Sequence, residues 1–444
     1  MKTNPGVYKL VYKLMRELFL DGTILIEEQG ASSEEDIFYF RRKTDGECFP
    51  ITNSLQFVPR GIQSYSSHIG VCAHGSLDFT IVKLNKLGIG KGVYTKSLTA
   101  GDAVIFDRKN TAQGDIQLLC VISKNSCVFT PNGARDIQTI ADELAEAFDV
   151  SPEHVVISCT GVIGVPLPMQ KVVSAIQLAK GKLAEDCLAE SAKAILTTDR
   201  QEKVASVKFD EVIICGYAKG AGMIEPNMAT MLTYFYTNVD ISKEQLDTIL
   251  RRAVGKSFNS ISVDSDTSTS DTVVIMSTQE IKLNDEQLED FERALTAISI
   301  KLARDIVGQA EGGSKIIEAE VEIASSEAEA KLLVKQILNS PLIKTAVYGA
   351  DPNWGRIVMA VGKPINNLSD KPITAKDLVI EMMGTKVFDR GQELATDLKA
   401  LSRKIKAAKS VSIHVQIGEP KYRAKGWGCD LTERYVEINS QYTT

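Results

Sequence analysis

The chain has 444 residues, enough to bury a large core, and that length sets two or three domains as a prior. Its 44% apolar and 24% charged content is that of a soluble globular protein, and a net charge of −6 offers no basic surface for nucleic acid. The eight cysteines form no C-x-x-C pair, the four histidines are isolated, and no run of 18 apolar residues appears, so neither a zinc site nor a membrane span is expected. Lone cysteines in apolar runs, such as Cys120 and Cys215, read as reduced core residues. With no apolar signal-peptide core at the N-terminus, the expected compartment is the cytoplasm.

Apolar residues at helical spacing over 7–20, with Lys9, Lys13 and Arg16 among them, predict an amphipathic helix. Strand-like runs follow at 23–27 and 36–41, with turns at Asp21-Gly22 and Asp45-Gly46. Residues 1–60 read as an added N-terminal α/β segment. Its role as a subdomain, an oligomer contact or a lid stays open. Strands are expected at 77–84, 92–95, 103–107 and 117–123. The glycines of 88–92 fit neither the Walker nor the Rossmann phosphate pattern and read as a hairpin turn. A helix is expected near 136–148. The apolar run Val155-Val156-Ile157-Ser158-Cys159 enters Thr160-Gly161, then Pro166 and Pro168, then a helix near 169–189. Residues 192–199 end a helix at Thr197-Thr198-Asp199, and a strand at 210–217 leads to Lys219.

The run Lys219-Gly220-Ala221-Gly222-Met223-Ile224-Glu225-Pro226-Asn227-Met228-Ala229-Thr230 carries the sharpest chemistry. Its glycines permit close backbone approach, and Pro226 biases Glu225 toward extended geometry. Residues 231–236 are apolar and aromatic, as a buried strand would be. Thr230 therefore stands where a constrained loop feeds a core strand. A hydroxyl is a weak nucleophile unless a base takes its proton, and a threonine made into a chain terminus has its own α-amine, of pKa about 7.7–8.0, for that task. Reaching that state requires attack of Thr230 Oγ on the Ala229 carbonyl, then hydrolysis of the ester. Thr230 also reads as a plain strand residue beside a glycine turn. Helices are expected at 243–257, 285–307 and 327–338, and a rigid turn at 349–357.

The 219–232 run closely resembles the self-cleavage segment of the ornithine acetyltransferases, the bifunctional glutamate N-acetyltransferases of arginine biosynthesis. Cys159-Thr160-Gly161-Val162-Ile163-Gly164, Ile195-Leu196-Thr197-Thr198-Asp199, Glu311-Gly312-Gly313-Ser314-Lys315, Asp351-Pro352-Asn353-Trp354-Gly355-Arg356 and the last nineteen residues resemble further motifs of that family, in its order. Cys159 stands where the family has Ser, Ser265 and Ser270 replace Gly and Asn, and 123–127 keeps only a trace of the family's loop. The likeness spans about 61–444.

The resemblance implies an α/β fold, a layered αββα-type sandwich of mixed sheets and helices related to the β-peptidyl aminopeptidases. It implies cleavage between Ala229 and Thr230 into an α chain, 61–229 behind the 1–60 extension, and a β chain, 230–444, that assemble as α2β2. Thr230 is then the catalytic nucleophile, with Thr160 and Gly161 as the oxyanion hole. Thr197 (Thr198 as fallback), Lys219, Glu311, Asn439 and Thr444 bind the substrates, N2-acetyl-L-ornithine and L-glutamate. No metal, cofactor, nucleic acid or membrane is called for; acetyl-CoA is a further co-substrate in some members. Two rivals stand beside this reading: a self-cleaving amidase or aminopeptidase, and a repurposed paralogue acting on another amino acid.

Overall fold

The computed structural model describes residues 37–71, 75–225, 231–323, 325–364, 372–392 and 394–441, and the backbone of strands Arg16–Glu17 and Ile24–Glu27. The architecture is mixed α/β. At its centre lies an eight-stranded sheet. Its strands run Val155–Val162, Asp115–Asn125, Phe79–Tyr94, Thr272–Lys282, Leu232–Asp240, Val212–Lys219 and Lys203–Phe209, with Ile62–Ser67 added on Phe79–Tyr94.

Strands from both sides of position 230 share this sheet. Leu232–Asp240 pairs antiparallel with Val212–Lys219, Leu232 opposite Lys219, and parallel with Thr272–Lys282, Leu232 opposite Thr272. Every residue of Leu232–Asp240 except Asp240 is buried. Helices Lys243–Lys256 and Asp285–Gly308 cover one face of the sheet. Both begin where a side chain caps the free amides: Ser242 with Gln245, and Asn284 with Gln287, form reciprocal capping boxes. Helices Gly133–Phe148 and Met169–Ala179 pack on the strands nearer the other end.

A six-stranded sheet follows: Ile261–Ser262, Tyr422–Cys429, Ile316–Ile323, Ser410–Ile417, Leu378–Met382 and Thr385–Asp389. Its alternating sequence puts Ile317, Ala319, Val321, Val411, Ile413 and Val415 on one face, against helices Glu327–Leu338, Pro341–Tyr348, Trp354–Val361 and Leu398–Ala407. The N-terminal segment forms a third, small sheet of which Ile37–Arg41 and Cys48–Ile51 pack onto Lys203–Phe209. Phe40 and Phe209 meet at a tilt of 56° with centroids 5.3 Å apart, and Thr52 pairs with Ser206 through both backbone amides.

Several expectations are corrected. Of the helix expected over 7–20, only Arg16–Glu17 is described, and it is strand; the rest lies outside the described residues. Residues 103–107 are not a strand but the start of helix Asp102–Gln113. Its core face carries Asp107, Asn110 and Thr111, so the helical period is hidden by polar residues that are buried. Those residues satisfy the neighbouring strand: Ile157 N–H donates to Asp107 Oδ1 at 2.7 Å, and Asn110 Nδ2 donates to the Val155 carbonyl at 2.8 Å.

The glycines of 88–92 are not a hairpin turn; they lie within the sixteen-residue strand Phe79–Tyr94, past a register break between Lys83 and Gly88. A Cβ on Gly90 would sit 2.8 Å from Ile116, and one on Gly92 would sit 2.3 Å from the Tyr94 hydroxyl. They are glycines because neighbouring side chains occupy that space. The helix expected over 169–189 breaks after Ala179, at Gly181 with φ +75°, and resumes as Leu188–Ala194. The turn expected at 349–357 opens a helix at Trp354, capped by the Asn353 side chain.

Asp107 is buried, which pushes its carboxyl well above the usual range, against the opposing pull of the Ile157 amide. Asp107→Ala is therefore expected to lower stability by about 1–3 kcal/mol, the cost of an orphaned buried amide, whereas Asp107→Asn keeps the acceptor and stays near wild type. Urea denaturation of the two variants checks the difference.

Candidate active site

The strand Val155–Val162 reaches its C-terminal end with an irregular register, Asn125 lying opposite both Thr160 and Val162. Gly161 makes this possible. Its φ is +134°, and a Cβ there would meet the Lys124 carbonyl carbon at 2.2 Å. The 124–127 loop acts as the strut. Asn125 Nδ2 donates to the Val165 carbonyl at 3.0 Å, Ser126 Oγ donates to the Val162 carbonyl at 2.8 Å, and Asn125 Oδ1 accepts from Cys127 N–H at 2.9 Å. These bonds brace the Thr160-Gly161 step.

Asp199 is the hub of the next wall. It forms a fully buried ion pair with Lys203 at 2.6 Å. The same carboxylate accepts from Gly220 N–H at 2.6 Å and Thr197 N–H at 3.1 Å. Burial alone would raise the Asp199 pKa, but Lys203 and then Lys219 outweigh it and hold the group at about 2. Lys219 is buried and donates to Thr197 Oγ1 at 3.4 Å. Burial brings its ammonium down to about 8, against the opposing pull of Asp199 and Asp271.

The loop that follows is held at both described ends by carboxylates from one short run. Asp264 accepts from Met223 N–H and Ile224 N–H, each at 2.7 Å. Asp271 accepts from Met231 N–H, the amide joined to Thr230, at 3.0 Å. Burial pushes the Asp271 carboxyl well above its usual range, while the Met231 amide and Lys219 pull it back. Glu225 is gripped by Ser262 Oγ at 2.6 Å and Asn339 Nδ2 at 2.5 Å. Glu311 N–H donates to the Ala221 carbonyl at 2.9 Å, and its carboxylate lies over Gly222, where a Cβ would be 2.5 Å from Oε2. Asn439, on helix Glu433–Gln441, donates to Glu311 Oε2 at 3.0 Å.

These segments enclose a cavity of about 430 Å³ lined by Thr160, Gly161, Thr197, Thr198, Lys219, Glu311 and Asn439, together with Ser268–Ser270 and Tyr435. Six of the residues named from sequence thus meet in one place, with the fallback Thr198 beside them. Ala229, Thr230 and Thr444 lie outside the described residues. Sequence reasoning missed Asp199, Asp264, Asp271 and Tyr435. Asp199 closes a helix-ending segment in the sequence, and no local pattern gives Asp264 or Asp271 a role. A larger hollow of about 620 Å³, near Lys91, Arg108 and Arg251, gathers none of the motif residues.

Two tests follow from this geometry. Gly161→Ala is expected to cost more than about 2 kcal/mol in chemical denaturation, because backbone rather than a flexible side chain stands in the way. Lys219→Met is expected to flatten the pH dependence of stability. With the lysine at about 8 when folded and near 10.5 when unfolded, the unfolded chain binds more protons between those values, so wild-type stability rises with pH there. Urea denaturation from about pH 8 to 10 should show that rise in wild type and not in the variant; the same slope in both would contradict the buried-charge account.

A family model described as the ArgJ family matches residues 63–444. The arginine biosynthesis bifunctional protein ArgJ 2 of Clostridium acetobutylicum is 38% identical, over 87% of this chain and 98% of its own. The glutamate N-acetyltransferase Oat2 of Streptomyces clavuligerus is 33% identical, over 89% of this chain and 100% of its own. A crystal structure of the arginine biosynthesis bifunctional protein argJ from Bacillus halodurans is 34% identical, covers 48% of this chain and 100% of its own, and superposes with a TM-score of 0.44. The matched span contains the whole 430 Å³ cavity. The chain belongs to the ArgJ family.

Proposed function

We propose that this protein is an acetyltransferase of arginine biosynthesis that moves the acetyl group of N2-acetyl-L-ornithine to L-glutamate through an ester on Thr230. The observation that carries the reading is the convergence of Thr160, Gly161, Thr197, Lys219, Glu311 and Asn439 on one cavity, from segments far apart in the chain. The names of the Clostridium and Streptomyces relatives, a bifunctional arginine-biosynthesis protein and a glutamate N-acetyltransferase, support the reaction class.

Thr230 first attacks the Ala229 carbonyl, and the ester hydrolyses to leave a free α-amine. That amine, which ordinarily titrates at about 7.7–8.0, then takes the proton from Thr230 Oγ as it attacks the acetyl carbonyl. The Thr160 hydroxyl and the Gly161 N–H stabilise the oxyanion; one such donor is worth about 10²–10³ in rate. Ornithine leaves with the returned proton, and the glutamate amine attacks the ester. The charged cavity suits amino-acid substrates. Lys219 meets a carboxylate, Glu311 an ammonium, and Asn439 orients Glu311; Thr197 and Thr444 complete the binding set. Acetyl-CoA is a second acetyl donor in this reading. Cleavage leaves chains 1–229 and 230–444 joined through the central sheet, assembled as α2β2 in the cytoplasm. The 1–60 extension is an added unit. Among the described residues no helix is long and apolar enough to cross a membrane.

Intact mass of the purified protein, beside Thr230→Ala, tests the nucleophile. Two fragments split at Ala229/Thr230 are expected for the native chain and one uncut chain for the variant. Incubation with N2-acetylornithine should release ornithine over many turnovers only when glutamate is present, and no more than about one equivalent per Thr230 without it. Equal release without glutamate would make the protein a hydrolase, and no release in either case would overturn the acetylornithine assignment.

A further inference from the structure

Glu225 is the last described residue before the 226–230 run, and its N–H, its carbonyl and its carboxylate are all in use. The Glu225 N–H donates to the Asp266 carbonyl at 2.9 Å, and the Glu225 carbonyl accepts from Thr267 Oγ1 at 3.2 Å. The carboxylate takes two bonds on a single oxygen, Oε2: from Ser262 Oγ at 2.6 Å and from Asn339 Nδ2 at 2.5 Å. Ser262 Oγ also lies 2.5 Å from Asn339 Oδ1, so the three side chains close a triangle.

The side-chain partners come from the six-stranded sheet and the helix packed on it. Ser262 is buried on the edge strand Ile261–Ser262. Asn339 ends helix Glu327–Leu338. Lys335, one turn earlier on that helix, donates to the Ile261 carbonyl at 2.5 Å. Burial brings its ammonium down to about 8, and the Glu225 carboxylate pulls the other way, so the two charges attract. Hydrogen bonds to an ionised carboxylate are the stronger kind, and these run to groups that packed elements hold in place.

Five residues, 226–230, join Glu225 to Met231, whose N–H is held by Asp271. The run is thus tied to the six-stranded sheet at one end and to the central sheet at the other. A short run tied at both ends samples far fewer conformations than one tied at a single end. An intramolecular attack gains rate when its reactants are confined near the reacting geometry. In the cleavage step a bond forms from Thr230 Oγ to the Ala229 carbonyl carbon and the C–N bond between the two residues breaks. The hydroxyl proton ends on the nitrogen, and water then splits the ester.

We infer that Glu225, held by Ser262 and Asn339, is a positioning residue for self-cleavage: it anchors the upstream end of the 226–230 run for the attack of Thr230 on Ala229. The inference rests on the cleavage step of the acetyl-transfer reading and gives Glu225 no part in transfer itself. The test is a time course of cell-free synthesis of the full chain, read as the intact masses of cut and uncut protein. Glu225→Ala and Asn339→Ala are each expected to cut at least about tenfold more slowly than wild type. The double variant should be about as slow as the slower single one, because both remove the same contact. Glu225→Gln should stay within about threefold of wild type, since its Oε1 can accept both bonds that Oε2 accepts now. The same substitutions on Thr230→Ala, which stays uncut, should each keep a cooperative urea transition. Equal cutting in wild type and Glu225→Ala overturns the positioning role alone. So does slow cutting confined to variants that lose the urea transition, or a Glu225→Gln as slow as Glu225→Ala. One uncut chain in every sample, wild type included, overturns the cleavage reading itself and this role with it.

Discussion

The structure depends on a strand that cannot be let go. Leu232–Asp240 lies inside the central sheet, hydrogen-bonded on one side to Val212–Lys219 and on the other to Thr272–Lys282. Leu232, Phe235 and Val239 are each almost wholly buried, and each is worth roughly 1.5–3 kcal/mol as removed apolar surface. A cut in the backbone just ahead of this strand removes one covalent bond and none of these contacts. A cut there is thus compatible with a single stable fold, since Asp271 holds Met231 N–H immediately downstream.

Around that strand the protein buries carboxylates to hold backbone. Asp199 accepts from Gly220 N–H, Asp264 from Met223 and Ile224 N–H, and Asp271 from Met231 N–H. Such groups are costly to bury alone, and each is stabilised by what it grips. Asp199 adds two lysines and stays ionised; Asp271 has Lys219 as its nearby cation. Lys219 in turn is balanced between burial and two acids, which is why its charge is available near neutral pH yet sensitive to it. The same interactions hold the described backbone on either side of residues 226–230 and tune the lysine.

How much of this could be read in the sequence follows from where polarity lies. Helices with capping boxes and polar outer faces, such as Lys243–Lys256 and Asp285–Gly308, were legible to within a residue or so. So was the convergence of Thr160, Thr197, Lys219, Glu311 and Asn439, because family motifs carried those positions. Helix Asp102–Gln113 was not legible, since its buried face is made of Asp107, Asn110 and Thr111. Gly88, Gly90 and Gly92 misled for the opposite reason: they mark close approach by Leu84, Ile116 and Tyr94, not a turn. The roles of Asp199, Asp264 and Asp271 depend on contacts about 20 to 40 positions away in sequence, which no local pattern encodes.

The N-terminal segment finds its physical reason at the sheet's edge. Lys203–Phe209 ends the central sheet and would present unpaired backbone to other chains. Thr52 pairs with Ser206 there, its hydroxyl meets Ser206 Oγ at 2.8 Å, and Phe40 and Phe49 close over Phe209. Lys43 ties the same segment to Glu289 on the adjoining helix at 2.6 Å, an exposed pair worth little by itself. Packing over the edge, rather than charge, holds the segment in place. The edge it covers begins at Lys203, the residue that holds Asp199. A segment that covers an edge is thereby tied, through Lys203 and Asp199, to Thr197 and Gly220 beside the 430 Å³ cavity.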